Sequence, residues 1–369
     1  MRVLIYGVNS ENKGAELLLR AASERLLAAG HEPAVSSREV TARTRREIHA
    51  KGVFSVESAK HFRSVGLDRL PRTLTDHLSV VGDGQFDYVL DASGYSLTDA
   101  WGMAPVTTRL NRLRRWHAKG IGFSMLPQAF GPFTKPGLAG GVAKVVAYAD
   151  VVFARDDQSA SHLRSAGLDM AGISVCPDIT ISMSVAPSAL TTGRTLLVPN
   201  WNIAKRSDSE GESQYIASLV KTVDGLRSDG RDVVGLCHEG AKDLAVLQEV
   251  DGLVSGGLEI LAPRNAVEAK SLVAGAELVV AGRYHALVSA LASGVPAIAH
   301  SWAHKYAALF ADFGLAEGRL ADPMSAESTL AGVRSLDMDK ERAKLTSAKP
   351  AINSRLEAMW QSIFDVIAT

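Results

Sequence analysis

Residues 277–306, ELVVAGRYHALVSALASGVPAIAHSWAHKY, are the stretch that most narrows the choice of fold. A short apolar run, Leu278–Ala281, stops at Gly282 and is followed by Arg283 and His285. A segment of Ala, Leu and Val then runs to Gly294 and Pro296, and a second apolar run, Ala297–Ala299, stops at His300 and Ser301. Strand, turn, helix and strand in that order predict a βαβ unit. In such units the carboxyl ends of strands and the amino ends of the following helices face the ligand crevice. An arginine there offers a planar fork for phosphate or carboxylate, and a histidine two residues on can carry a proton near neutral pH. The plainer alternative is a helix start whose two polar residues are only solvated.

The same alternation recurs along the chain. Arg2–Tyr6 reads as a buried strand, followed by a polar corner and a helix from about Ala15 to Ala29 that Gly30 closes. A polar, less regular region covers roughly 36–85, and Tyr88–Asp91 is the next clear strand. Helices near 107–119, 137–148 and 158–166 alternate with strands at 121–126, 151–154 and 173–175. Residues 184–194, SVAPSALTTGR, suit a linker. Strands at 195–198, 233–236 and 259–261 then alternate with helices at 212–228, 240–251 and 265–274. Such order implies mainly parallel sheets covered on both faces. The expected class is therefore α/β, with one Rossmann-like domain over 1–185, a second over 186–345, and a C-terminal helix over 346–369 packing back on the body. That helix, about 351–367, carries one apolar stripe: Ile352, Leu356, Met359, Trp360 and Ile363.

Bulk properties exclude several function classes. With 369 residues and 46% apolar content, two domains can each bury a core. Zero formal net charge removes the main argument for a nucleic-acid partner. The basic clusters Arg43–Arg46 and Arg109–Arg115 read as solvated helix faces. Two distant cysteines, Cys176 and Cys237, suggest neither a disulfide framework nor a zinc site, and the plain expectation is reduced thiols in the cytoplasm. The start, MRVLIYGVNS, reads as strand and turn rather than a signal peptide, and no run of about 20 apolar residues would span a bilayer.

Loops after strands hold the candidate chemistry. The first half contributes Asn9, Asn12, Lys13, Gly14 and Glu16, then Asp91, Ser93, Gly94, Gln128, Arg155, Asp156 and Asp178. The second contributes Asn200, Asn202, His238, Glu239, Arg283, His285, His300 and Lys305. Neither GxGxxG nor GxxxxGK[ST] occurs at the first corner, so glycines alone do not indicate a nucleotide site. Gly14 at a helix start permits an anion to approach backbone N–H groups, or is a simple tight turn. Asp156, Asp157 and Ser159 suit a helix amino terminus. Arg155 beside that positive terminus has no dipole reason to be there, and a bound anion would supply one. His238-Glu239 ends a strand with no compelling third metal ligand, which leaves acid–base work, substrate contact or a solvated loop.

Seven segments, in order, resemble the polysaccharide pyruvyl transferase family: YGVNSENKGAELLL, DYVLDASG, IGFSMLPQAFGPF, ADVVFARDDQSASHL, VCPDITISM, GLCHEGAKD and AELVVAGRYHALVSALASGVPAIAHSWAHK. The Arg-x-His corner followed by an apolar helix and Gly-Val-Pro is the most specific, and the segments span about residues 3–306. The chain departs from the family's usual Gly-Asn-x-Gly-Asp at Asn12–Glu16 and from its glycines after the second strand at Ala92-Ser93-Gly94. Both departures fall where an acceptor is expected.

The resemblance implies a fold similar to the GT-B glycosyltransferases, two Rossmann-like domains with a cleft between. It also implies transfer of pyruvate from phosphoenolpyruvate to a sugar hydroxyl pair of a cell-surface glycan or its precursor, forming a ketal. Phosphoenolpyruvate is then a co-substrate, with no cofactor and no metal. Arg155, Arg283, His285, Ser301 and Lys305 would bind the donor, and Asn12, Gly14, Glu16, Ser93 and Gln128 the acceptor. His285 would protonate the donor's methylene carbon or stabilise phosphate as it leaves, and the general base would be Asp91 first, with His238 or Glu239 behind it. The acceptor is a glycan or glycolipid, with peripheral membrane contact through a lipid-linked acceptor. Two other readings use the same corners: a GT-B glycosyltransferase with a nucleotide-sugar donor, and a non-catalytic sugar-phosphate-binding protein.

Overall fold

The computed structural model describes residues 1–54, 80–82, 84–206, 209–300, 305–315 and 319–368. It divides into two units, one of Met1–Ser10, Ala15–Ile179 and Arg355–Thr369, the other of Glu11–Gly14 and Thr180–Ser354. Each is built on one sheet in which every pairing is parallel.

The first sheet contains β1 (Arg2–Tyr6), β2 (Glu32–Ser36), β3 (Lys51–Phe54), β4 (Val80–Gly82), β5 (Tyr88–Asp91), β6 (Gly122–Gln128), β7 (Val152–Ala154) and β8 (Ile173–Val175). Their spatial order is β4-β3-β2-β1-β5-β6-β7-β8. The chain lays strands outward from β1 in one direction, then returns to place β5 on its other side. The reversal between β1 and β5 is a topological switch point, where loops on the two strands splay apart and leave a crevice. Leu113 and Trp116 of the helix Met103–His117 pack with Phe86, Val89 and Phe123 in the core of this unit.

The second sheet contains β9 (Thr195–Val198), β10 (Val233–Leu236), β11 (Ile260–Leu261), β12 (Leu278–Ala281), β13 (Ala297–His300) and β14 (Leu320–Ala321), in the order β11-β10-β9-β12-β13-β14. Its switch point lies between β9 and β12. Helix Ser209–Ser228 buries Tyr215, Ile216, Leu219, Val223 and Leu226, whose spacing forms one stripe, against a core that includes Leu197, Leu278 and Val280. Each such aliphatic side chain contributes about 1.5–3 kcal/mol by leaving water. The βαβ unit expected at 277–306 is present over its described part, with Val279 opposite Ala297 and Ala281 opposite Ala299.

Three expectations change. The polar region at 36–85 contains a strand, Lys51–Phe54, and a short helix, Ala42–Glu47, capped by the Thr41 hydroxyl; residues 55–79 and 83 lie outside the described ones. Within the expected linker, a 3₁₀ turn at Ala189–Thr191 docks on helix Ala266–Gly275, with the buried Thr191 hydroxyl donating to Leu272 O at 2.7 Å. The last helix starts at Met338, not near 351, and carries Pro350 inside it. Proline usually marks a first turn, but here buried Leu345 and the Glu341–Arg319 ion pair (2.5 Å) anchor the turns before it, so tertiary contacts outweigh the missing N–H. No described helix is long and apolar enough to cross a membrane.

Candidate active site

At the switch point of the second unit, β9 leads to Asn200 and β12 leads to Gly282 and Arg283. A Cβ on Gly282 would lie 3.0 Å from Asn200 Cβ and 2.9 Å from Ile203 Cδ1, so only glycine lets the two loops touch. Asn200 Nδ2 and the Tyr306 hydroxyl both donate to Gly282 O at 2.8 Å. That locked carbonyl sets the direction in which Arg283 leaves the strand, as N-cap of helix Tyr284–Ala292.

Two carboxylates hold the Arg283 guanidinium. Asp243, fully buried in the first turn of helix Gly240–Leu253, takes Nε at 2.8 Å and Nη2 at 2.5 Å. Glu239 takes Nη1. The backbone N–H groups of Trp201 and Glu239 also donate to Asp243, at 3.0 and 3.1 Å. Burial pushes Asp243 up to about 7 and Arg283 down to about 10. Four N–H donors converging on one carboxyl oppose that drift and favour the ionised pair.

The segment Glu11–Gly14 belongs to this unit. Asn12 Nδ2 donates to Glu239. Gly14 sits against His285: a Cβ there would overlap the imidazole at Nδ1. The charge of Lys13 acts on Asp243, Cys237 and His238. His238 is 3% exposed and well below the usual imidazole range, first through burial and then through the electrostatic influence of Arg283, His285 and Lys13, so it stays neutral. Lys305 Nζ stands over the Tyr284 and Tyr306 rings at 5.4 and 5.5 Å. His300 is buried beneath, with Nε2 3.1 Å from Thr329 Oγ1. Ser301 lies outside the described residues.

In the first unit the β1–β5 switch point is also polar. Asp91, fully buried, pairs with Arg109 Nε at 2.7 Å and accepts from Ser93 N at 3.0 Å and Ser93 Oγ at 2.5 Å. Gln128 is buried, with Nε2 3.4 Å from Asp91 O. Arg155, at the end of β7, is buried and reaches Asp178 at 3.4 Å, while Asp156 caps the following helix through Ser159 N at 2.6 Å. Glu16 binds Arg20 at 2.7 Å on its own helix.

The sequence model of the polysaccharide pyruvyl transferase family matches residues 12–304. The chain belongs to this family. No curated protein matches it by sequence. Among solved structures it is similar to Anabaena Alr3699/HepE in complex with UDP and glucose, at TM-score 0.63 and 12% identity over 100% of this chain and 99% of that one. A putative UDP-N-acetylglucosamine 2-epimerase from Listeria monocytogenes gives TM-score 0.61 and 14% identity over 94% and 90%. The UDP-GlcNAc 2-epimerase from Methanocaldococcus jannaschii gives 0.60 and 12% over 93% and 94%. Likeness at this identity concerns the fold, which is GT-B-like with two Rossmann-like units.

Two residues of this pyruvyl transferase family member escaped the sequence reading. Arg109, read as part of a solvated basic face, is 2% exposed. Its signal was position: it shares a stripe with Val106, Leu110, Leu113 and Trp116. Asp243 stands one helical turn after Glu239, and an acid in a first turn after a strand-end Glu was the available cue.

Proposed function

We propose that the protein transfers pyruvate from phosphoenolpyruvate to two hydroxyls of a sugar in a glycan or its precursor, closing a cyclic ketal and releasing phosphate. The observation that carries this reading is the Arg283–His285 corner of a family member: a guanidinium fixed by Asp243, next to an imidazole seated on Gly14. Asp243 uses Nε and Nη2, so Nη1 is the edge that a donor phosphate or carboxylate takes, replacing Glu239. Lys305 adds a second cation held between two rings.

His285 gives a proton to the donor's methylene carbon, and C2 becomes electrophilic. One sugar hydroxyl attacks C2 and loses its proton to a base. Phosphate then leaves with the C2–O bonding pair and takes the proton of the second hydroxyl as that oxygen closes the ketal, so the C=C π bond and the C2–O–phosphate bond are replaced by one C–H and two C–O bonds. The base is Asp91, His238 or Glu239: Asp91 has its oxygens on Arg109 and Ser93, burial and the Arg283 charge make His238 a weak base, and Glu239 pairs with Arg283. Positioned acid–base help of this kind is worth about 10²–10⁴-fold. Arg155 is assigned to the donor through the family resemblance, and Asn12, Gly14, Glu16, Ser93 and Gln128 to the acceptor side. Their replacement tests those assignments one by one.

Incubation with phosphoenolpyruvate and a glycan panel, read as phosphate release and as a mass gain of one pyruvyl ketal, tests the reading. Arg283→Ala and His285→Ala should each abolish release with the fold intact. Near-normal turnover in both would sink the assignment. Turnover with a nucleotide sugar and none with phosphoenolpyruvate would transfer the site to glycosyl chemistry.

A further inference from the structure

We propose that the cleft at the β1–β5 switch point binds one pyranose ring of the acceptor, with Trp101 as the stacking face and the Ser93 and Ser96 hydroxyls as its polar edge. The role of that ring as acceptor rests on the pyruvyl-transfer reading, whereas the binding itself does not.

The cleft measures about 410 Å³ and is lined by Tyr6, Gly7, Ser93, Ser96, Trp101 and Arg109, with Ala104, Pro105 and Thr108 of the adjoining helix. Its volume sits at the low end of the ~300–1,000 Å³ of small-molecule sites. Trp101 is 60% exposed, although the turn that carries it is ordered: Trp101 N and Gly102 N both donate to the carbonyl of buried Thr98, at 3.1 and 3.0 Å. An indole held by its backbone and left in water at the mouth of a cleft offers a flat apolar face. A pyranose has a complementary C–H face and hydroxyls around its rim.

The hydrogen-bond directions fix what the opposite wall offers. Arginine only donates, so Arg109 Nη2 gives its protons to Ser93 Oγ at 2.8 Å and to Ser96 Oγ at 2.9 Å. Ser93 passes its own proton to Asp91. Ser96, half-buried, therefore accepts from Arg109 and keeps its hydroxyl proton for an oxygen in the cleft. Arg109 is the single charged lining residue, and Asp91 neutralises it. A neutral polyhydroxyl ligand fits this balance, whereas the triply charged donor does not. Gly7 keeps the floor open, with φ +79° and a Cβ that would overlap Ser93 Oγ.

The test titrates the methyl pyranosides of glucose, galactose and mannose into the full-length protein without donor, followed by saturation-transfer NMR and tryptophan fluorescence. At least one pyranoside should bind saturably. Trp101→Ala should weaken it by about tenfold or more and Trp101→Phe by less, and Ser96→Ala should also weaken it. The circular dichroism and Tm of the Trp101 variants should match the parent, because the side chain is exposed. No binding by any pyranoside, or binding unchanged in Trp101→Ala, overturns the subsite. Phosphate release is measured separately. Sugar binding lost in Trp101→Ala, with no release from phosphoenolpyruvate in the parent, keeps the subsite and sinks the pyruvyl reading. Release with an unchanged acceptor KM in Trp101→Ala does the reverse.

Discussion

Asp243 grips Arg283 through two parallel N–H···O contacts, Nε–Oδ2 at 2.8 Å and Nη2–Oδ1 at 2.5 Å, and does so with no exposed surface of its own. Bidentate contact fixes the plane of the guanidinium as well as its position. Removing one partner of a buried pair leaves an uncompensated charge and costs about 3–5 kcal/mol. Asp243→Asn should lose stability in chemical denaturation, by less than that figure because Glu239 still takes Nη1, and raise KM for phosphoenolpyruvate. The double variant Asp243→Asn/Arg283→Met should be less destabilised than the sum of its singles, because the two sites are coupled.

Glu239 competes for the remaining Nη1 edge of Arg283. Glu239→Gln replaces a charge-assisted contact with a neutral one, a difference of roughly 1 kcal/mol, or about fivefold. KM for phosphoenolpyruvate should fall by about that factor. A rise would mean that Glu239 helps to bind the donor.

Gly14 separates stability from activity. Alanine is the better helix former by about 1 kcal/mol, so Gly14→Ala should not destabilise helix Lys13–Ala28 through propensity. Its methyl would overlap the His285 ring and turn it. A displacement of about 1 Å at a catalytic group can cost about 10²-fold in rate. Steady-state kinetics should show that loss in the parent background and little further loss in His285→Ala.

Two buried histidines predict acid sensitivity. Burial lowers His300 from 6.5 to about 4, and lowers His238 well below 6.5. The folded state thus binds fewer protons than the unfolded chain between those values, and stability rises with pH there. The contribution is complete above pH 6.5 and is lost as pH falls toward 4, by about 3 kcal/mol for His300 alone. Denaturation midpoints measured from pH 7 to pH 4 should fall steeply in the parent. His300→Gln should flatten that slope.

Much of this was legible in the chain. Strands buried on both faces by flanking helices must be apolar throughout, and that is why β9, β10 and β12 stand in the sequence with the bounds they have in the fold. Short strands lack the signal: β3, between β4 and β2, is Lys-Gly-Val-Phe, with its terminal Phe54 exposed, and nothing local separates it from a loop. The Arg283–His285 corner was readable because strand-to-helix turns declare themselves by residue type. Asp91 was readable as a strand-end acid, but not as the partner of Arg109.

The sequence by itself determined the local elements, the α/β class and the family segments, because φ/ψ preference, capping and apolar periodicity act over a few residues. Only the tertiary structure decided that Asp243 closes on Arg283, that Gly14 lies against His285, and that Arg109 turns inward to Asp91. Those meetings depend on strand order and helix packing, which bring residues far apart in the chain to one end of a sheet.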